Sequence, residues 1–112
     1  GGSSYLLLPS CKGLETIDIN TIVRIKAISN YSKLYFENGK TLVLAKVLRW
    51  FETALTDRQF IRIHRGHLIN LQFIDHCLLK CGAKVILRNG ECIDIAKRKK
   101  NIFLKYWQEA AA

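Results

Sequence analysis

The stretch Phe60-Ile-Arg-Ile-His-Arg-Gly-His-Leu-Ile-Asn-Leu-Gln-Phe-Ile74 changes character halfway along. Its first half alternates apolar Phe60, Ile61 and Ile63 with cationic Arg62, His64 and Arg65. Alternation at period two is the signature of a half-buried strand with one face in the core and the other carrying charge. The alternation stops at Arg65-Gly66, where glycine admits backbone angles closed to other residues. Beyond it Leu68, Ile69 and Leu71 are apolar and are expected to turn back into the core. Asn70, set among them, is expected to cap a turn through backbone groups. A strand that delivers His64 and Arg65 to its end, with Gly66 in the turn, suits recognition of an anionic polymer.

Composition agrees. The chain has 112 residues, one domain's worth, with 49% hydrophobic content and a net charge of +9 from 18 Lys plus Arg against 9 Asp plus Glu. Such a surplus points to nucleic acid first and an acidic membrane surface second. No apolar run approaches the roughly 20 residues of a membrane helix, and no signal-peptide pattern occurs. Residues 1–4 read as a linker or expression scar, 5–109 as a single domain, and 110–112 as an uninterpretable tail. Cys11, Cys77, Cys81 and Cys92 read as reduced thiols filling apolar space, which fits a cytoplasmic protein. Cys77 and Cys81, four apart on one strand, would lie ~13 Å from each other, too far for one tetrahedral metal. No metal and no cofactor is expected, and without a nucleophile–base pair or phosphate-cradling loop, no enzyme.

Along the chain, alternation marks strands over 5–9 (stopped by Pro9), 14–19, 22–28 with Arg24 and Lys26 on an outer face, 31–37 and 40–44. Asn38-Gly39 between the last two is a hairpin signal. From Ala45 the period changes: Val47, Leu48, Phe51, Ala54 and Leu55 recur at helical steps, extended by Trp50. Lys46 and Arg49 share this helix with Glu52, so it reads as structural rather than as a recognition helix. Strands over 73–80, 83–88 and 91–95 follow, the last two joined at Asn89-Gly90. Ile102, Phe103, Tyr106 and Trp107 suggest a short C-terminal helix. The expectation is mainly β, with about eight or nine strands in antiparallel sheets, one packed helix and a marginal second one.

Arg62-Ile-His-Arg-Gly-His-Leu-Ile-Asn70, with a block over 22–39 before it and Gly90-Glu-Cys-Ile-Asp-Ile-Ala-Lys-Arg-Lys-Lys100 after it, resembles the signature of LytTR-type DNA-binding domains. These are output modules of many bacterial two-component response regulators. The resemblance covers most of residues 16–106. It implies an elongated stack of small antiparallel β-sheets that puts loops, not a helix, into the major groove of double-stranded DNA. It also implies a second copy on repeated half-sites and control by an upstream sensing or receiver domain absent from this chain. The departures are Gly66 for the usual Ser, His67 for Tyr or Phe, Ala96-Lys97 for Ser-Arg, and Lys26 where an acid is common. They bear on base preference more than on fold.

Three corners carry the site expectation. Asn30, Ser32 and Lys33 lie in or beside a polar turn. His64, Arg65 and Gly66 form the second corner. Lys97, Arg98, Lys99 and Lys100 form the third, where four consecutive cations repel one another without a counter-charge. A cationic helix start is itself electrostatically poor. Arg65 and Arg98 are the base-edge candidates, and Lys99 and Lys100 more suited to backbone. Two other readings stay open: an RNA or single-strand binder stacking bases on Tyr31, Tyr35 and Phe36, and a basic protein-interaction or membrane-surface module.

Overall fold

A computed structural model describes residues 4–10 and 13–111. Its strands pair antiparallel throughout, in sheets of two, five and three strands. Strands β1 (Tyr5–Ser10) and β2 (Gly13–Asp18) form the first. Pro9 does not stop β1; it sits opposite Leu14, one pair short of the turn. The second sheet holds β3 (Ile22–Ile28), β4 (Tyr31–Phe36), β5 (Thr41–Leu44), β6 (Phe60–His64) and β7 (His67–Asn70) in the order β5-β4-β3-β7-β6. The third holds β8 (Ile74–Leu78), β9 (Lys84–Leu87) and β10 (Cys92–Asp94). Ten strands among the described residues exceed the expected number because residues 60–70 make a complete hairpin.

The five-stranded sheet has a core on each face. On one, Ile25, Leu34 and Leu68 pack with Leu8 and Ile17 of the first sheet and with Leu48, Phe51 and Leu55. On the other, Ile63 and Ile69 meet Val85, Leu87 and Ile93 of the third sheet. Phe51 and Phe103 are fully buried, one in each core, and each burial contributes about 1.5–3 kcal/mol. This stacking of small sheets gives extents of 45 × 33 × 24 Å.

The first helix, α1 (Leu48–Ala54), starts later than the periodicity from Ala45 suggests. The cause lies in β4: Ser32 is completely buried and its hydroxyl donates to the Lys46 carbonyl at 2.6 Å, which pins a bend at Ala45-Lys46 ahead of an extended Val47. The second, α2 (Lys100–Ala111), is longer than expected and runs on through Ala110 and Ala111. Phe103 anchors it in the second core, with Trp107 stacked on it at 5.9 Å.

Asn70 behaves as its surroundings suggest. It is buried, its Nδ2 donates to the Ile22 carbonyl at 2.8 Å, and its Oδ1 accepts from Gln72 N at 3.0 Å. One side chain thus ties β3 to the turn that leaves β7. The described cysteines differ from the apolar-filler reading: Cys81 and Cys92 are exposed, and Cys77 is partly buried. Cys11 lies outside the described residues. Among the described residues no group of His, Cys, Asp or Glu is assembled for a metal, and no helix is long and apolar enough to cross a membrane.

Candidate nucleic-acid interface

Lys26 pairs with Lys33 on one side and with His67 on the other, and His67 pairs with His64. Directly opposed residues in antiparallel strands project to the same face. Lys33, Lys26, His67 and His64 therefore form one row across four strands, spanning about 14 Å at a strand spacing near 4.8 Å. This row lies near the end of the sheet where two hairpins turn. Ser29-Asn30 closes β3 to β4, with Ser29 at φ 54°, and Arg65-Gly66 closes β6 to β7. The two turns are neighbours, since Ala27 N donates to the Gly66 carbonyl at 2.9 Å.

The third corner arrives through a β-bulge. Arg62 pairs with Leu68, and His64, two residues on, pairs with the adjacent His67, so Ile63 is an extra residue in β6. Its carbonyl accepts from Ala96 N at 2.7 Å. Lys97–Lys99 form a 3-10 turn just past that bond, with Lys97 and Arg98 exposed. The three corners, distant in sequence, are thereby linked side by side at one end of the sheet.

The bulge also corrects the simple alternation of residues 60–65. Arg62 sits opposite Leu68 on the α1 face, whereas His64 belongs to the row on the other face. Gly66 needs no left-handed conformation: positive φ occurs at Gly39 and Gly90 but not there. A Cβ at Gly66 would meet only His64 Nδ1, at an ordinary 3.6 Å.

Of the expected site residues, Asn30, Arg65, Lys97 and Arg98 are exposed at this end, with Lys33, His64, Gly66 and Lys100 partly exposed. Ser32 is not available: its side chain has no exposure and is spent on Lys46. Lys99 turns away into a groove between β6 and α2, lined by Glu52, Asp57, Ile61 and Tyr106. Two residues named in the sequence but left out of the expected DNA-contact set also lie here: Lys26, on the outer face as alternation suggests and exposed in the middle of the row, and Tyr31, 50% exposed beside the first turn. Strand register adds what alternation cannot, the position of Lys26 between Lys33 and His67.

Electrostatics separate the row from its neighbour. His67 is held neutral, its pKa lowered to about 4 by burial first, then by His64, Arg24 and Lys26, against a small opposing pull from Asp94. Its Nδ1 is buried with no hydrogen-bond partner, consistent with a ring kept uncharged. One pair further in, Arg24 does not stand on an open outer face: it is buried, bridging to Glu91 at 2.8 Å and stacking on Tyr35 at 3.7 Å from the ring centroid. Tyr35 is covered by that guanidinium, and Phe36 packs on the first core. Of the three aromatics suited to stacking bases, only Tyr31 is therefore open to them.

A family model described as the LytTr DNA-binding domain matches residues 12–108. The chain belongs to the LytTr DNA-binding domain family. This LytTr domain is also similar in fold to a solved structure, the LytTr DNA-binding domain of a protein from Bacillus cereus described as a methyl-accepting/DNA response regulator. The two share 21% sequence identity at a TM-score of 0.79, over 94% of this chain and 97% of that chain. No curated protein matches this LytTr domain.

Proposed function

We propose that this LytTr domain, residues 5–109, binds double-stranded DNA sequence-specifically as the output domain of a bacterial transcriptional regulator. The turns at Ser29-Asn30 and Arg65-Gly66 and the segment Lys97-Arg98 enter the major groove together. The observation that carries this reading is their convergence, through the Ala27–Gly66 and Ala96–Ile63 hydrogen bonds, at one end of the sheet. The row behind them spans about 14 Å, comparable to a major groove roughly 12 Å wide. Arg65 and Arg98 meet base edges, where a guanidinium forks onto guanine. Lys26, Lys33, Lys97 and Lys100 meet phosphates, and Asn30 and His64 line the approach.

The domain works in the cytoplasm, two copies occupy repeated half-sites, and a sensing or receiver domain elsewhere in the regulator sets their activity. No catalytic step and no cofactor form part of this reading. The covered Tyr35 and packed Phe36 count against a single-strand binder, which needs a series of open rings.

Selection of bound duplexes from a random pool tests the reading. The expected result is an enriched repeat bound in preference to random duplex. Affinity should fall by roughly three orders of magnitude between low and moderate salt if about six phosphates are engaged. Equal affinity for selected and random duplex, or stronger competition by single strands, would sink it.

A further inference from the structure

The turn that presents Arg65 is held at three backbone groups. Gly66 N donates to His64 Nδ1 at 3.1 Å, the Gly66 carbonyl accepts from Ala27 N at 2.9 Å, and the Arg65 carbonyl accepts from Arg62 Nη2 at 2.6 Å. The third hold differs from the others because it comes from a charged side chain that is itself anchored. Arg62 Nη1 donates to Glu52 Oε1 at 3.2 Å, and Glu52 belongs to α1. The Arg62 side chain is 23% exposed and lies on the α1 face of the sheet, away from the row of Lys26 and Lys33.

Placing a second cation three residues from Arg65 is unfavourable unless something neutralises it. Glu52 does so, and the planar fork then joins helix to turn, one nitrogen on each. An ammonium group on a flexible stem lacks that fixed two-way geometry.

We propose that Arg62 is a positioning residue for DNA recognition: through Glu52 it locks the β6–β7 turn so that the Arg65 guanidinium is pre-set for its base. This rests on the reading that Arg65 meets DNA. Arg62 commits one N–H to Glu52 and one to the Arg65 carbonyl, and on this reading it takes no phosphate. A pre-set side chain loses less freedom on binding, so the gain falls on the preferred sequence and not on duplex in general.

The test is a gel-shift titration of Arg62→Lys, Arg62→Gln and Glu52→Gln, each alone and combined with Arg65→Ala, against selected and random duplex. Arg62→Lys, which keeps the charge, is expected to lower preference for the selected duplex roughly tenfold, leave random duplex unchanged, and add nothing once Arg65 is alanine. Glu52→Gln should follow in the same direction, and faster amide exchange at Gly66 in the unbound variants should accompany both. Equal losses on both duplexes in Arg62→Gln, spared in Arg62→Lys and additive with Arg65→Ala, would make Arg62 a phosphate contact and overturn the relay. Unchanged preference in the Arg62 variants beside a normal loss in Arg65→Ala would overturn it too. Full preference in Arg65→Ala alone would instead remove the interface reading, and the relay's role with it.

Discussion

The Arg24 guanidinium crosses from the five-stranded sheet to the Glu91 carboxylate in the turn between β9 and β10, with Nη2 and Oε2 2.8 Å apart. The cation is nearly buried, at 8% exposure, while the acid is about a third exposed, at 35%. Removing the acid strands a buried charge, though the Tyr35 ring and water reaching the site soften the loss. Glu91→Gln should therefore cost about 1–3 kcal/mol, read as a shifted urea midpoint. An unchanged midpoint would mean that the bridge does not hold the sheets together.

Two groups set the acid sensitivity, and their signs agree. The hydrogen bond from Arg24 holds the Glu91 carboxyl below its ordinary value despite partial burial, with help from Asn89. Its contribution is complete above the unfolded carboxyl value, near 4.3, and is lost as pH falls through the lower folded one. His67, lowered from 6.5 to about 4, takes up its proton more readily unfolded, so stability falls as pH drops from 6.5 towards 4. Denaturation curves from pH 7 to 4 should show this decline, and His67→Phe should flatten it in that range. A wild-type midpoint constant from pH 7 to 5 would refute the assignment to His67.

Arg65→Ala and Arg98→Ala should each weaken binding to a selected duplex by about 1–3 kcal/mol and relax preference at particular base positions. Thermal midpoints should stay within a few degrees, since both side chains are exposed. Lys97→Ala should instead reduce affinity for all duplexes alike and lower the salt slope by about one. Footprints and salt titrations distinguish the two patterns.

Lys26 and Lys33 oppose each other directly across β3 and β4. Such like-charge pairs are unfavourable by roughly 0.2–1 kcal/mol. Lys26→Glu should stabilise the fold by about that amount while weakening DNA binding several-fold. Stability and affinity that moved together would remove Lys26 from the phosphate-facing set.

Asn70→Ala should be among the costlier single changes, at about 2–3 kcal/mol, because it leaves the Ile22 carbonyl unpaired and removes the cap at Gln72 N. Leu68→Ala should cost a similar or larger amount through the cavity it opens beneath β3. Urea unfolding reads both.

Strand pairing was legible wherever local chemistry repeats. Asn38-Gly39 and Asn89-Gly90 mark turns whose glycines do sit at φ 87° and 90°, and alternation locates most of the strands. Asn70 could be read as a cap because a lone amide among apolar neighbours needs backbone partners. What escaped depends on pairing between distant segments. Arg24 follows the strand alternation, and nothing local reveals that Glu91, 67 residues later, buries it. Ser32 looks like a turn hydroxyl until Lys46 claims it, and the late start of α1 has the same cause. The bulge at Ile63 leaves no mark in composition, so Arg62 and His64 look like one charged face when they occupy two.

The surplus residue in β6 has a consequence for how this end of the molecule could be dismantled. Arg62 opposes Leu68 and His64 opposes His67, as they would in a strand lacking Ile63 altogether. Excising Ile63 should therefore spare the ladder and its hairpin tip, yet delete both a knob of the second core and the acceptor that moors Ala96. One codon's removal would then unhitch Lys97 and Arg98 from an otherwise intact pair of loops. Duplex grip would drop from a three-point to a two-point hold.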